Sequence, residues 1–220
     1  HYKEAFDQVI ENIHKGNTYL LNLCFKNSIQ LQRGLADIFV TAHAPYKVLW
    51  EDKFTFFSPE KFVKINDNTI STFPMKGTSD SDSEKSKNQL FNNRKERAEH
   101  YTVVDLLRND IGQFSHNVRV EEFRYLEKIN THIKGFWQAS SHIVGGLQED
   151  WKNHIGDILF LLLPAGSITG APKKKTIEII RESENMSRNF YTGISGYFDG
   201  ESLDSAVNIR FVAQENQGYF

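Results

Sequence analysis

The sequence predicts an α+β domain, in which antiparallel strands and helices occupy separate stretches of one chain. Two observations predict it. Runs rich in β-branched and aromatic residues, separated by polar turn signals, occur between residues 47 and 73 and between residues 191 and 212. Apolar residues at helical spacing mark other stretches, such as 2–13 and 151–162. With 220 residues, the chain has the length of one large domain or of a part of something longer.

The composition predicts a soluble globular protein. Its 17 Phe, 8 Tyr and 3 Trp can fill a sizeable core, and a net charge of −2 argues against a nucleic-acid surface. Cys24 is the single cysteine, which excludes an internal disulfide framework and a cysteine-based zinc cluster and indicates a reducing compartment. The longest apolar run, 158–163, is far shorter than the roughly 20 residues of a membrane helix. We expect a cytoplasmic protein with no membrane or nucleic-acid partner.

The two ends of the sequence carry no targeting information. The chain begins at His1 rather than Met, and residues 217–220 read as a strand that starts just after a turn. We therefore expect both ends to be cut points, with the fold incomplete on either side.

The first third of the chain is predicted to combine two helices with a series of strands. Apolar residues at helical spacing over 2–13, followed by Gly16 where a helix C-cap falls, predict the first helix. A strand is predicted over 18–25 and a short second helix over 33–43. Three β-rich runs separated by polar turns then predict an antiparallel meander: 47–50, 54–65 and 69–73.

The remaining two thirds are predicted to alternate between helices and strands. The stretch 74–93 is polar with few apolar anchors, which predicts a mobile loop that leads into a helix. Pro164 ends one later helix, and Asp199-Gly200 is typical of a hairpin turn. The predicted helices are 95–108, 151–162 and 173–184, and the predicted strands are 118–128, 136–147, 191–198 and 203–212.

A turn of small residues, Ala165 to Pro172, precedes the last predicted helix. Small side chains would let a ligand approach the backbone, and free amides at a helix start favour an anion such as phosphate or carboxylate. A tight connection that needs glycine for its shape explains the same residues equally well. The Walker phosphate-loop pattern is not present, and the basic triplet 173–175 is typical of a solvated face.

Two glutamates, Glu96 and Glu99, stand three residues apart and share one face of a predicted helix. A divalent cation would relieve their repulsion, and ligands that are all oxygen suit magnesium. A solvated acidic face is the more common explanation of such a pair. The nearby segment 105–110 places four polar groups at a helix end, where caps and a buried ion pair are the ordinary explanation.

Lys76 lies in the segment Pro74 to Thr78, sixteen residues after Glu60. A lysine beside a glycine, with an aromatic-rich strand behind it, could be desolvated enough to act as a neutral amine. Most loop lysines are simply solvated, and the spacing does not decide between the two.

Four segments in the same order along the chain resemble the chorismate-binding enzymes. This family includes anthranilate synthase component I, aminodeoxychorismate synthase component I, and the isochorismate and salicylate synthases. The resemblance implies one catalytic domain over residues 1–220, an α/β sandwich of two antiparallel-rich sheets flanked by helices, with chorismate and magnesium in a deep central cleft. The segments are 74–78, 96–110, 165–173, and 191–197 together with 209–210.

The resemblance also implies roles for individual residues. Lys76 matches the lysine typical of aminodeoxychorismate synthases, which attacks the chorismate ring; anthranilate synthases typically carry alanine there. Glu60 matches the general acid that protonates the departing ring hydroxyl, a division of labour that suits a poor leaving group. Glu99 matches a direct magnesium ligand, with Glu96 as a carboxylate close by. Magnesium is the cofactor that the resemblance implies.

A further set of residues is implied to hold the substrate. Arg210 and Tyr191 match side chains that bind a substrate carboxylate, and a planar guanidinium suits that task. The other residues implied to line the substrate site are Gly166, Ser167, Thr169 and Thr78.

The chain departs from the family pattern in three respects. It stops before the family's glycine-rich strand and Glu-x-x-Glu helix, whose carboxylates complete the magnesium site. Leu20 stands where relatives often carry a polar residue, and Gln138 stands where many carry histidine. In addition, residues 19–22 include no lysine of the kind with which isochorismate synthases activate water, which disfavours ring hydroxylation.

Three functions are consistent with these residues. Lys76 favours the synthesis of 4-amino-4-deoxychorismate from chorismate and ammonia, which leads to 4-aminobenzoate and folate. A glutamine amidotransferase, as a separate subunit or a fused domain, would then be the partner that supplies ammonia. The enzyme alternative is anthranilate synthase component I of tryptophan synthesis, and the alternative of another class is a non-catalytic fragment that binds chorismate.

Overall fold

The computed structural model describes residues 2–130, 134–216 and 218–220. The chain divides into two compact units. The first unit contains residues 1–61, 168–196 and 205–220, and the second contains residues 62–167 and 197–204. We describe each unit by itself.

Helices α1, α2, α4 and α7 of the described residues begin within about two residues of where the sequence predicts them. A single 3₁₀ turn, Trp151–His154, precedes the fifth helix. The α-helices are α1 (Tyr2–His14), α2 (Leu35–Thr41), α3 (Glu84–Asn92), α4 (Arg94–Gly112), α5 (Ile155–Leu162), α6 (Gly166–Thr169) and α7 (Lys173–Glu184).

The strands are mostly short, with two long exceptions that form one hairpin. They are β1 (Leu20–Leu21), β2 (Tyr46–Trp50), β3 (Phe54–Ser58), β4 (Lys61–Asn66), β5 (Thr69–Thr72), β6 (Met75–Thr78), β7 (His116–Asn130), β8 (Gly135–Gly146), β9 (Gly170–Ala171), β10 (Ile194–Phe198), β11 (Leu203–Val207), β12 (Phe211–Glu215) and β13 (Gly218–Tyr219).

The first unit contains a four-stranded sheet with the order β13-β12-β3-β2, and a small two-stranded pairing of β1 with β9. Phe54 and Phe56 of β3 are almost fully buried and form the centre of the larger sheet. Helix α1 packs against α7 through Ala5 and Val9, which are its buried residues. The alternation of buried and exposed residues on both helices explains why their periodicity predicts them well.

Strands β5, β6, β7 and β8 of the second unit belong to a seven-stranded sheet. The strand order of that sheet is β10-β11-β4-β5-β8-β6, and β7 pairs with β8 along nearly its whole length. Helix α4 covers β6, β7 and β8 with a stripe of apolar side chains at helical spacing. The buried members of that stripe are Val103, Val104, Leu107 and Ile111. This packing places one end of α4 against β6, which carries Lys76.

The predicted meander over 47–73 is wrong in one respect. The middle run divides at Pro59 and Glu60 into β3 and β4, and these two strands belong to different sheets. A proline lacks the backbone N–H that would continue a ladder, so the strand breaks there. The pairs β2–β3 and β4–β5 are antiparallel as predicted.

The mobile loop predicted over 74–93 is also wrong, because the structure places β6 and α3 there. Ser83 caps α3 by accepting a hydrogen bond from the Ser86 backbone at 3.2 Å. The predicted strand over 203–212 is interrupted as well, and Arg210 adopts a left-handed backbone with φ of 54° at the break.

No helix in the parts of the chain that the structure describes combines the length and the apolarity needed to cross a membrane.

Candidate active site

In the second unit, Lys76 and both candidate metal ligands lie together. Lys76 is on β6, and its ammonium is 3.2 Å from a carboxylate oxygen of Glu99 on α4. The side chains of Lys76 and Glu99 are 36% and 32% exposed, so both remain accessible to a ligand. Glu99 also lies 3.9 Å from the Lys95 ammonium, one helical turn earlier. The structure therefore places Lys76 in direct contact with one of the two glutamates.

Gly77 brings the second carboxylate close to the same strand. Its backbone is left-handed with φ of 97°, and a β-carbon added there would lie 3.1 Å from Glu96 Oε2. Glycine is required at this position because an L-residue would be strained and crowded at once. Glu96 and Glu99, one turn apart on α4, thus both face the Lys76–Gly77 segment.

The donor set at this segment suits a magnesium ion that uses few protein ligands. Among residues 2–130, 134–216 and 218–220 there is no group of three or more His, Cys, Asp or Glu side chains that could hold a metal. Magnesium is often bound by only one or two carboxylates, with water and substrate oxygens as its other ligands. Glu96 and Glu99 meet that requirement with hard oxygen atoms. They are the residues that would hold the ion.

A buried histidine holds the backbone of Lys76. His100, on α4 directly after Glu99, is fully buried, and its Nδ1 lies 3.2 Å from the Lys76 carbonyl oxygen. Its Nε2 lies 2.7 Å from Ser141 Oγ on β8. Burial lowers the pKa of His100 below its ordinary value. Sequence analysis missed this residue, although it stands inside the 96–110 segment.

Thr78, at the end of β6, is exposed and pairs across the sheet with Gln138 of β8. The resemblance places Gln138 where many relatives carry histidine, and this position lies beside one of the predicted substrate-binding residues.

Gly166 and Ser167 also belong to the second unit. A β-carbon added to Gly166 would lie 2.9 Å from Asp110 Oδ2 and 3.0 Å from a side-chain carbon of Leu106. Asp110 is 6% exposed, so a carboxylate of the protein itself already faces the start of the small-residue turn. This contact connects the two motifs at 105–110 and 165–172. It also explains why residue 166 is a glycine.

Thr169 belongs to the first unit and is 5% exposed. Its backbone carbonyl accepts a hydrogen bond from the Asn22 N–H at 3.2 Å. The next residue, Gly170, has φ of 129°, and a β-carbon there would lie 1.8 Å from the carbonyl oxygen of Leu20. The interpretation of the turn as a tight connection is therefore correct at Gly170, since β1 leaves no room for a side chain.

Arg210 and Tyr191 both line one cavity of about 940 Å³ within the first unit. Arg210 is exposed, and its left-handed backbone accepts a hydrogen bond from the Phe57 N–H at 3.2 Å. The cavity wall combines basic and aromatic side chains, as a site for an anionic ring compound requires. Among its lining residues are Lys26, Lys53, Arg188, Phe25, Phe190 and Phe211.

Tyr191 has a second neighbour in this cavity that sequence analysis missed. That neighbour is Cys24, and burial raises the pKa of both the phenol and the thiol. The backbone N–H of Tyr191 donates to the Arg188 carbonyl at 2.9 Å. The main chain of Tyr191 is therefore fixed.

A buried ion pair supports the same wall. The Arg188 Nε donates to Glu184 Oε2 at 2.8 Å, and its Nη2 contacts Glu184 Oε1 as well. The side chains of Glu184 and Arg188 are only 1% and 13% exposed. Glu184 Oε1 also accepts the Cys24 N–H at 2.8 Å, and Arg188 donates to the Asn22 carbonyl at 2.8 Å. In the sequence, the four-residue spacing of Glu184 and Arg188 was the signal from which this ion pair could have been predicted.

Glu60 is half-buried in the first unit, and Lys76 belongs to the second. The Glu60 backbone carbonyl accepts the Val207 N–H at 3.1 Å, and its N–H donates to Ser58 Oγ at 3.1 Å. The main chain at Glu60 is therefore fixed. Within the second unit the structure brings together Lys76, Glu96 and Glu99, and within the first it brings together Arg210 and Tyr191.

The comparison with known protein families agrees with these motifs. The family model described as chorismate binding enzyme matches residues 1–220. The chain belongs to the chorismate-binding enzymes. This result confirms the resemblance drawn from the four sequence segments, and it makes the protein a member of a family of enzymes that use chorismate.

Two curated relatives show how far the similarity to individual chorismate-binding enzymes extends. An uncharacterised PabA-like protein of Haemophilus influenzae is 49% identical over 220 residues, which are all of this chain and 67% of that protein. Aminodeoxychorismate synthase component 1 of Bacillus subtilis is 33% identical over 94% of this chain and 46% of its own length. The chain thus spans about half of the named synthase that it matches.

The fold of this chorismate-binding enzyme is similar to that of a solved family member. Anthranilate synthase component I from Streptococcus pneumoniae TIGR4 aligns with a TM-score of 0.82 and 25% sequence identity. The alignment covers 99% of this chain and 50% of that structure. The predicted fold class, a mixed arrangement of antiparallel-rich sheets and flanking helices, is confirmed.

Proposed function

We propose that this chain is the chorismate-binding part of an aminodeoxychorismate synthase large subunit. The reaction would convert chorismate and ammonia to 4-amino-4-deoxychorismate and water, with a glutamine amidotransferase subunit or domain as the source of ammonia. The observation that carries this proposal is the lysine at position 76, because the residue type at this position separates two activities of the family. The similarity to the Bacillus subtilis synthase supports the same choice.

Lys76 is the proposed nucleophile. Its amine forms a bond to a ring carbon of chorismate, and the ring hydroxyl departs with a proton from the proposed general acid, Glu60. Ammonia then forms a bond to the ring and the Lys76 amine is released. Atoms balance over the two steps, because one ammonia enters and one water leaves. The contact of Lys76 with Glu99 places the amine beside a proposed metal ligand, and the 36% exposure of the Lys76 side chain leaves it accessible to a substrate.

Glu96 and Glu99 are proposed to hold magnesium through their carboxylate oxygens. When bound, the ion supplies positive charge that draws electron density from the attacked ring through the substrate carboxylate. Glu99 also contacts Lys76, so one carboxylate serves both the proposed metal and the proposed nucleophile.

Arg210 and Tyr191 are proposed to bind a carboxylate of chorismate from the wall of the first-unit cavity. A guanidinium offers two parallel N–H donors to a carboxylate, and the phenol offers one more. Gly166, Ser167, Thr169 and Thr78 are proposed as further substrate-binding residues, through the backbone of the first two and the hydroxyls of the threonines.

Anthranilate synthase component I is the competing function, favoured by the structural similarity to the Streptococcus pneumoniae enzyme. Product analysis separates the two. Full-length protein is incubated with chorismate, magnesium and an ammonium salt, with Lys76→Ala as the matched variant. A product that yields 4-aminobenzoate only after a separate lyase is added supports the proposal. Fluorescent anthranilate that appears directly from the wild-type protein contradicts it, and absence of any product supports the non-catalytic alternative.

A further inference from the structure

The segment around Lys76 is the irregular part of its strand. Strand β6 pairs with β8 at Met75 opposite Ser140 and at Thr78 opposite Gln138, with a register shift between the two pairs. Lys76 and Gly77 fall inside the shift, where the regular ladder is interrupted. Gly77 adds a left-handed conformation at the same place. An irregularity of this kind leaves residues out of the ladder and changes the direction in which a side chain leaves the strand.

His100 contacts the Lys76 carbonyl at the place where the β6–β8 ladder is interrupted. A carbonyl oxygen only accepts, so the 3.2 Å contact requires His100 Nδ1 to carry the proton. In the neutral ring Nε2 then has a free lone pair, and the Ser141 hydroxyl donates to it across 2.7 Å. Ser141 Oγ in turn accepts the Arg124 backbone N–H at 2.8 Å. Each contact therefore fixes the donor and acceptor roles in the next one.

The hydrogen-bond network ends at a buried arginine, Arg124. Arg124 is 4% exposed and its guanidinium donates to the Leu90 and Phe91 carbonyls at 2.6 and 2.5 Å. These carbonyls lie in the last turn of α3, where a cation also complements the helix dipole. His100 is fully buried and Ser141 is 0% exposed, so neither exchanges these partners for water. The Lys76 carbonyl is thereby connected to α3, α4 and β8 at once.

We infer that His100 is a positioning residue for Lys76: by holding the Lys76 carbonyl it sets where the lysine side chain leaves the interrupted strand and hence where its amine meets the chorismate ring. This inference rests on the proposed role of Lys76 as the nucleophile. A displacement of about 1 Å in a reacting group can lower a rate by about 100-fold without weakening substrate binding, so loss of this contact should reduce turnover more than affinity.

Three substitutions of His100 test separately the contact of Nδ1 with Lys76 and the contact of Nε2 with Ser141. In His100→Asn the side-chain amide lies near the place of Nδ1 and can still donate to the Lys76 carbonyl. In His100→Gln the amide reaches the place of Nε2 and can still contact Ser141, but not Lys76. His100→Leu removes both contacts. Ser141→Ala is the matched control, because it removes the support while leaving the contact between His100 and Lys76 in place.

The measurement is the rate at which full-length protein forms a covalent adduct at Lys76 with saturating chorismate and magnesium and without ammonia. Steady-state turnover, the KM for chorismate and thermal unfolding are measured alongside, at a temperature where every variant is folded. We expect His100→Leu and His100→Gln to slow adduct formation by about 100-fold with KM changed less than about threefold, and His100→Asn and Ser141→Ala to stay within about tenfold of wild type.

Two results overturn the inference. If His100→Gln and His100→Asn lose activity equally, or in proportion to their loss of thermal stability, His100 only stabilises the packing of α4 on the sheet. If wild-type protein forms no adduct at Lys76, the proposed covalent function fails and the positioning role fails with it. The first result leaves the wild-type adduct intact, so the two failures are distinguishable.

Discussion

The Lys76 ammonium and the Glu99 carboxylate lie 3.2 Å apart, on a strand and a helix of the same compact unit. The sequence places them 23 residues apart and attaches different proposed roles to them, one as nucleophile and one as metal ligand. Because the two groups are in contact, a change at Glu99 alters the charge beside Lys76 as well as the proposed metal site.

Glu99→Gln should therefore abolish turnover in full-length protein. The substitution keeps the shape of the side chain but removes one negative charge from a cation that prefers anionic oxygen ligands. Turnover is measured over a magnesium titration, with Glu121→Gln, an exposed carboxylate on β7, as the control. Unchanged turnover and unchanged magnesium dependence in Glu99→Gln would remove this residue from the proposed site.

Arg210→Lys should weaken chorismate binding although the charge is kept. A lysine ammonium cannot reproduce the two parallel hydrogen bonds that a guanidinium makes to a carboxylate. We expect a loss of about 1 to 3 kcal/mol in binding, the usual range for a charge-assisted hydrogen bond. The measurement is the dissociation constant of chorismate, and a value equal to that of the wild type would place Arg210 outside the substrate site.

Glu184→Ala should destabilise the protein strongly. It leaves the Arg188 guanidinium buried without its anion and removes the acceptor of the Cys24 N–H. Breaking one partner of a buried ion pair typically costs about 3 to 5 kcal/mol in the free energy of unfolding. Glu178→Ala is the control on the same helix, since its pair with Lys175 is exposed and such pairs contribute less than about 1 kcal/mol. Similar urea midpoints for the two variants would contradict the account of this ion pair.

The Cys24 thiol should react slowly with iodoacetamide. Burial raises its pKa, so at pH 8 it holds less of the thiolate that attacks the reagent, and the pH at which alkylation accelerates should lie above that of an exposed thiol. Peptide mapping by mass spectrometry gives the rate, and protein unfolded in guanidinium gives the reference. Chorismate should slow the reaction further, because Cys24, Tyr191 and Arg210 line one cavity. A rate equal to that of the unfolded protein would show that the thiol is open to solvent.

The helices α1, α4 and α7 could be predicted from sequence because each has a periodic apolar face that another element buries. Helix α3 could not. Leu90 is its buried residue, and the carbonyls of its last turn are held by Arg124, more than thirty residues away. Likewise, the break at Arg210 depends on a left-handed backbone at a non-glycine residue, which hydrophobic patterning does not encode.

Sequence could predict the residue types of the candidate site but not the contacts that hold them. Glu96 and Glu99 follow from helical spacing, and their meeting with Lys76 follows only from the packing of α4 on β6. The contacts of His100 were missed for the same reason, because its partner Ser141 is distant in sequence and no local pattern connects them. Arg188 has a local partner in Glu184, four residues earlier, but its other partner, Asn22, is distant in sequence.

The central claim, that Lys76 attacks chorismate, is tested most directly by withholding ammonia. Ammonia is the group that displaces the lysine, so without it the ring should remain on the protein. Full-length protein with chorismate and magnesium, but no glutamine or ammonium, should gain mass at the peptide that contains Lys76. Lys76→Ala should gain none while still binding chorismate. No mass gain in the wild type, together with normal production of 4-amino-4-deoxychorismate by Lys76→Ala, would contradict the claim.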